Sequence, residues 1–98
     1  MTSIKQWQRR ITEYAISHGF LWTKDDIDTM LLRIISECSE ASEAARDGNL
    51  DNLAEELADI FIRLANTAEV MGIDLEKEII EKHQINTHRP LLHGRKRK

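Results

Sequence analysis

Ninety-eight residues, 41% of them apolar and 32% charged, make one small domain whose own core is thin unless a second chain extends it. No apolar run is long enough to cross a bilayer, the first residues lack the basic-then-apolar pattern of a secretory leader, and the single cysteine, Cys38, excludes an internal disulfide, so a cytoplasmic protein with no membrane partner is expected. The formal charge of −3 hides an asymmetry: apart from Arg89, Arg95, Lys96, Arg97 and Lys98, nine basic residues face seventeen acidic ones, a net of −8, and an acidic body of this kind is not expected to bind nucleic acid.

Four helices are predicted. Ser3 and Gln6 have the spacing of a capping box, and Ile4, Trp7, Ile11, Tyr14 and Ala15 recur at helical intervals until Gly19. Residues 20–24 read as a connector, with Thr23 or Asp25 capping the next element. The second helix is predicted from about residue 25 to residue 47, with Ile27, Met30, Leu31, Ile34, Ile35, Cys38, Ala41 and Ala45 as its apolar stripe and Gly48 as its stop. Cys38, near the centre of that stripe, is predicted to be a small buried residue and not a nucleophile. The third helix is predicted to start at Asp51 or Asn52, to carry Leu53, Leu57, Ile60, Phe61, Leu64, Ala68 and Met71, and to end at Gly72. Asp74 caps a fourth helix reaching about Asn86, and Pro90 opposes its continuation. With no strand pattern, the fold class is all-α, an antiparallel bundle of about four helices with its core completed by dimerisation. Residues 1–90 form the domain and 91–98 a basic tail.

Chemistry concentrates in the middle helices. Glu37 and Glu40 on one, and Glu56 and Asp59 on the next, are each an i, i+3 acidic pair on one side of a helix. Glu40 and Glu56 stand eight residues either side of Gly48, and Glu37 and Asp59 stand eleven. A short turn makes the helices antiparallel neighbours, so folding at the glycine sets Glu40 beside Glu56 and Glu37 beside Asp59. At about 100° per residue, both pairs sit off their stripes by similar angles in the same sense, which points them into one groove. Four carboxylates at close quarters do not all stay ionised without a counter-charge. A hard divalent cation, Mg²⁺ with Mn²⁺ as substitute, suits oxygen donors of this kind. Glu43, Asp47, Glu55 and Glu69 read as an ordinary solvated face.

Glu-x-x-Glu followed by Glu-Glu-Leu-Ala-Asp, and then by Gly72-Ile73-Asp74, Lys82, Asn86, Arg89-Pro90 and His93-Gly94-Arg95, resembles the MazG-like all-α nucleoside triphosphate pyrophosphohydrolases over about residues 31–94. The resemblance implies an Mg²⁺-dependent enzyme that cleaves a nucleoside triphosphate to the monophosphate and pyrophosphate. It implies Glu37, Glu40, Glu56 and Asp59 as metal ligands and catalytic residues, with Lys82, Asn86 and Arg89 near the phosphates. It also implies a homodimer or homotetramer with the site at the interface. Ser36 departs from the pattern, standing where many relatives have a second acidic residue. Phosphoribosyl-ATP pyrophosphohydrolase is a rival with the same acidic helical plan, and a non-catalytic helical module binding nucleic acid through its basic tail is a rival of another class.

Trp7 and Trp22 are rings able to stack on a base. Helical spacing favours core packing for Trp7, which nonetheless stands among the substrate-binding candidates. His18 reads as a helix-end residue, and His83, His88 and His93 are too irregularly spaced for zinc. Arg33 and Arg63 each stand one turn from a carboxylate on their own helix, Glu37 and Asp59, for ion pairing or phosphate contact.

Overall fold

In the computed structural model, which describes residues 1–89, the chain forms α1 (Ile4–Ser17), a 3₁₀ turn (Lys24–Asp26), α2 (Ile27–Arg46), α3 (Leu50–Val70) and α4 (Leu75–Thr87). There is no strand among the described residues, and the bundle is all-α as expected. The tail from Pro90, including His93 and Arg95, lies outside them.

The predicted caps form on the first and the fourth helix. Ser3 Oγ accepts from Gln6 N at 3.1 Å while Gln6 Oε1 accepts from Ser3 N at 2.7 Å. At α4, Asp74 Oδ1 accepts from Lys77 N at 3.1 Å. Two starts differ from expectation. Residues 24–26 form the 3₁₀ turn, closed by Thr23 N donating to Asp26 at 2.8 Å, and α2 begins only at Ile27. Helix α3 begins at Leu50, because Asn49 is its cap, accepting from Asn52 N at 3.0 Å.

Gly48 sets the α2–α3 hairpin. Its φ of 69° lets Asn49 N reach Ala44 O at 3.0 Å and Gly48 N reach Ala45 O at 3.1 Å, which satisfies the last carbonyls of α2 and reverses the chain within three residues. Ala41 and Ala44 on α2, close to the turn, and Ala65 and Ala68 on α3, toward the far end of the hairpin, are buried together with Met30. Alanines at a helix contact allow close backbone approach.

The buried face of α2 corrects the predicted stripe. Met30, Glu37, Ala41 and Ala44 face inward, and Cys38 is exposed, as are Leu31, Ile35 and Ala45. The helix is rotated so that its alanines are covered and Glu37 meets a partner described below. On α3, likewise, Leu57 and Leu64 are exposed while Ala65, Thr67 and Ala68 are buried.

Helix α1 packs on α3 and is pinned at the α3–α4 turn by Gln8, the largest fully buried side chain. Gln8 Nε2 donates to Ile73 O at 2.8 Å, and its Oε1 accepts from Leu75 N at 3.0 Å. Both ends of a buried amide are thus satisfied, and two orphan backbone groups with them. Glu69, expected on the solvated face, is half-buried and accepts from Gln8 Nε2 at 3.4 Å. Helix α4 packs chiefly on α1, tied by Ile4 N donating to Glu76 at 3.1 Å, and buries none of its own residues.

Candidate functional site

The hairpin brings Glu37, Glu56 and Asp59 together, with one carboxylate oxygen from each lying within 4.8 Å of the others. Each residue is placed by its phase on its helix and by its distance from the turn at Gly48. Glu40 stands beside Glu56 but is exposed and falls outside the three-carboxylate group.

The charges in this cluster respond to one another. Glu37 is 9% exposed, and the Arg63 guanidinium holds its carboxyl below the usual carboxylate range, with Arg63 Nε donating to Oε1 at 2.7 Å. Arg63 therefore pairs across the hairpin and not with Asp59, its neighbour on α3. Glu56 goes the other way. Loss of solvent, then the neighbouring Glu40 and Glu37, push its carboxyl up to about 7. Glu37 Oε2 and Glu56 Oε2 are both buried without a hydrogen-bond partner. Unsatisfied buried carboxylate oxygens are costly, and two of them in one oxygen-rich cluster fit a divalent cation of the Mg²⁺ or Mn²⁺ type.

Next to this cluster a cavity of about 620 Å³ opens between α1, the connector and the hairpin. Glu37, Asp59, Arg63 and Arg33 line its hairpin side, with Ile62 and Asn66, and Trp7, Arg10, Tyr14, His18, Phe20 and Trp22 line the opposite side. Trp7 is 45% exposed, which overturns its expected core packing, and Arg10 lies over its ring at 5.7 Å. Trp22 is half-buried with Arg33 over it at 5.4 Å. His18 closes α1 through Nδ1 to Tyr14 O at 3.0 Å and stacks on the Tyr14 ring at 4.1 Å. Thr12 Oγ1 donates to Asn66 Oδ1 at 2.9 Å, which steadies that amide at the rim.

Tyr14, Phe20, His18, Arg10 and Asn66 were not legible as cavity residues. One signal was available for the rings, since four of the five aromatic residues of the chain fall before Thr23, ahead of the acidic pairs, and these four all line the cavity. The structure does not bring Lys82, Asn86 or Arg89 to this place. All three are exposed, on or just beyond α4, and none lines the cavity of a single chain.

The chain matches the model of the MazG nucleotide pyrophosphohydrolase domain over residues 25–89, two thirds of its length, and belongs to that family. No curated protein and no solved structure gives a match. Membership makes it a pyrophosphohydrolase with a nucleotide substrate, in a family that is generally metal-dependent. No helix among the described residues is long and apolar enough to cross a membrane.

Proposed function

We propose that this protein is a cytoplasmic, Mg²⁺-dependent enzyme that cleaves a ribo- or deoxyribonucleoside triphosphate between its α- and β-phosphates, releasing the monophosphate and pyrophosphate. The observation that carries this reading is the convergence of Glu37, Glu56 and Asp59, with two unpartnered buried oxygens, beside a cavity lined with aromatic rings. Glu37, Glu56 and Asp59 hold the cation, and Glu40 adds its charge from the solvent side. Mn²⁺ substitutes for Mg²⁺. When bound, the cation neutralises phosphate oxygens and stabilises charge developing on the departing pyrophosphate.

The chain's own residues do the rest. Trp7 and Trp22 flank the base, which gains stacking energy without discrimination by hydrogen bonding alone. Exclusion of water from the aromatic side strengthens every electrostatic contact on the acidic side. Water attacks the α-phosphorus in line, the P–O bond to the β-phosphate breaks, and a carboxylate of the cluster takes the proton.

The reading includes a second copy of the chain. Leu31, Leu32 and Ile35 on α2, Leu57 and Leu64 on α3, and Ile79, Ile80 and Ile85 on α4 are all exposed, more apolar surface than a monomer of this size ordinarily leaves in water. A homodimer or homotetramer covers these faces and lets Lys82, Asn86 and Arg89 approach the phosphates from the partner chain. Residues 1–90 act as the catalytic unit, with 91–98 as a basic appendage. The acidic cluster favours this enzyme over a helical interaction module.

The test is pyrophosphate release from a panel of NTPs and dNTPs, with Mg²⁺ and with EDTA, for wild type and Glu56→Ala. Release that needs the metal and vanishes in the variant supports the reading and ranks the substrates. Absence of release from every nucleotide, with the metal still bound, overturns it.

A further inference from the structure

Arg63 makes a one-point contact where an arginine–carboxylate pair usually makes two. Its Nε donates to Glu37 Oε1 at 2.7 Å, yet Glu37 Oε2 has no hydrogen-bond partner, so the two-point fork is not formed. The η nitrogens of Arg63 make no hydrogen bond among the described residues, and the side chain, one-third exposed, lines the cavity. Other guanidiniums lining the cavity are engaged elsewhere: Arg10 lies over Trp7 and Arg33 over Trp22. Arg63 is the one held against the acidic cluster, with donors to spare on its cavity edge.

We propose that Arg63 is a substrate-binding residue, which keeps Nε on Glu37 and holds a phosphate oxygen of the nucleotide through its η nitrogens. The proposal deepens the reading above and rests on it. A guanidinium suits the task because its five N–H donors lie in one plane, so the edge facing Glu37 and the edge facing the cavity are used at once. A lysine offers one point charge and serves one side only. The same contact fixes the Glu37 carboxylate and leaves Oε2 free of any protein hydrogen bond, so Arg63 is also a positioning residue for that ligand.

The experiment uses the full chain, with calorimetric binding of the α,β-methylene triphosphates of adenosine and cytidine in Mg²⁺, and of the two free nucleosides as phosphate-free controls. Mn²⁺ affinity is read separately by electron paramagnetic resonance, and circular dichroism checks that each variant is folded. Arg63→Lys keeps a charge for Glu37 and is the variant safest for folding; Arg63→Gln removes it. The expected result for Arg63→Lys is retained Mn²⁺ affinity, unchanged nucleoside binding and a loss of roughly tenfold or more in triphosphate affinity, with Arg63→Gln losing more. Triphosphate affinity equal to wild type in both variants overturns the proposal, and so does a loss shared equally by the nucleosides or matched by the loss of Mn²⁺. A wild-type protein that binds Mn²⁺ but neither triphosphate overturns the underlying reading as well, which separates the two failures.

Discussion

The α2–α3 hairpin and the α1–connector segment face each other across one cavity, yet they are built on opposite terms. The hairpin is set by a glycine-reversed turn between two long helices that pack along their length, and helix phase brings Glu37, Glu56 and Asp59 together. It lies wholly within the matched family region. The opposite wall, with Trp7, Tyr14, Phe20 and Trp22, precedes that region and is joined to the bundle through Gln8 and a connector. The difference separates labour. In the proposed reading the hairpin carries the metal-binding and hydrolytic chemistry, and the aromatic wall holds the base.

The largest effect that sharpens this contrast comes from the hairpin. Glu56→Ala is expected to lower pyrophosphate release by at least roughly a hundredfold for every nucleotide, seen as kcat against a substrate panel. A loss confined to one base would break the division. On the other wall, Trp22→Ala is expected to cost about tenfold in kcat/KM, mostly through KM and unequally among bases, in the same assay. Uniform loss of kcat would place Trp22 in the chemistry instead.

The joint between the regions is next. Gln8→Ala removes the bonds to Ile73 O and Leu75 N and leaves two part-buried backbone groups without their partner, so it is expected to destabilise the fold by about 1–3 kcal/mol in chemical denaturation. Mn²⁺ affinity should survive in the folded fraction, because the cluster belongs to the hairpin.

The smallest effect is a pH trend in metal-free protein. The folded chain keeps a proton on Glu56 up to about 7, whereas the usual value is 4.5, so the folded state binds more protons in that window. This contribution makes stability fall as pH rises from about 4.5 to 7. Glu37, held down by Arg63, contributes the opposite sign below 4.5, stability lost on acidification. Thermal melts across pH with EDTA, for wild type and Glu56→Gln, should show the upper trend in wild type alone. Mg²⁺ should abolish it, since the cation supplies the missing counter-charge.

The contrast also explains what the amino-acid sequence disclosed. Helix number, caps at Ser3 and Asp74, and the mirror placement of the acidic pairs were readable because they are local or follow from one turn. Helix rotation was not. Apolar residues cover more than one face of α2, and the choice between a stripe centred on Cys38 and a face of Met30, Glu37, Ala41 and Ala44 is made by packing against α3, a tertiary fact. The cross-hairpin pairing of Arg63 with Glu37 has the same origin. Helical spacing favours core packing for Trp7 because it states that a residue shares a face, not whether that face is covered, and the face is open. Lys82, Asn86 and Arg89 do not line the cavity of the single chain, which is why the proposed reading assigns them to a partner copy.

The most direct test of the central claim is Mn²⁺ titration of the intact protein by electron paramagnetic resonance, comparing wild type with Glu56→Gln and with Glu78→Gln, an exposed carboxylate on α4. The account predicts saturable binding in wild type, the same binding in Glu78→Gln, and its loss in Glu56→Gln. Equal binding in all three would contradict it and take the metal away from the hairpin.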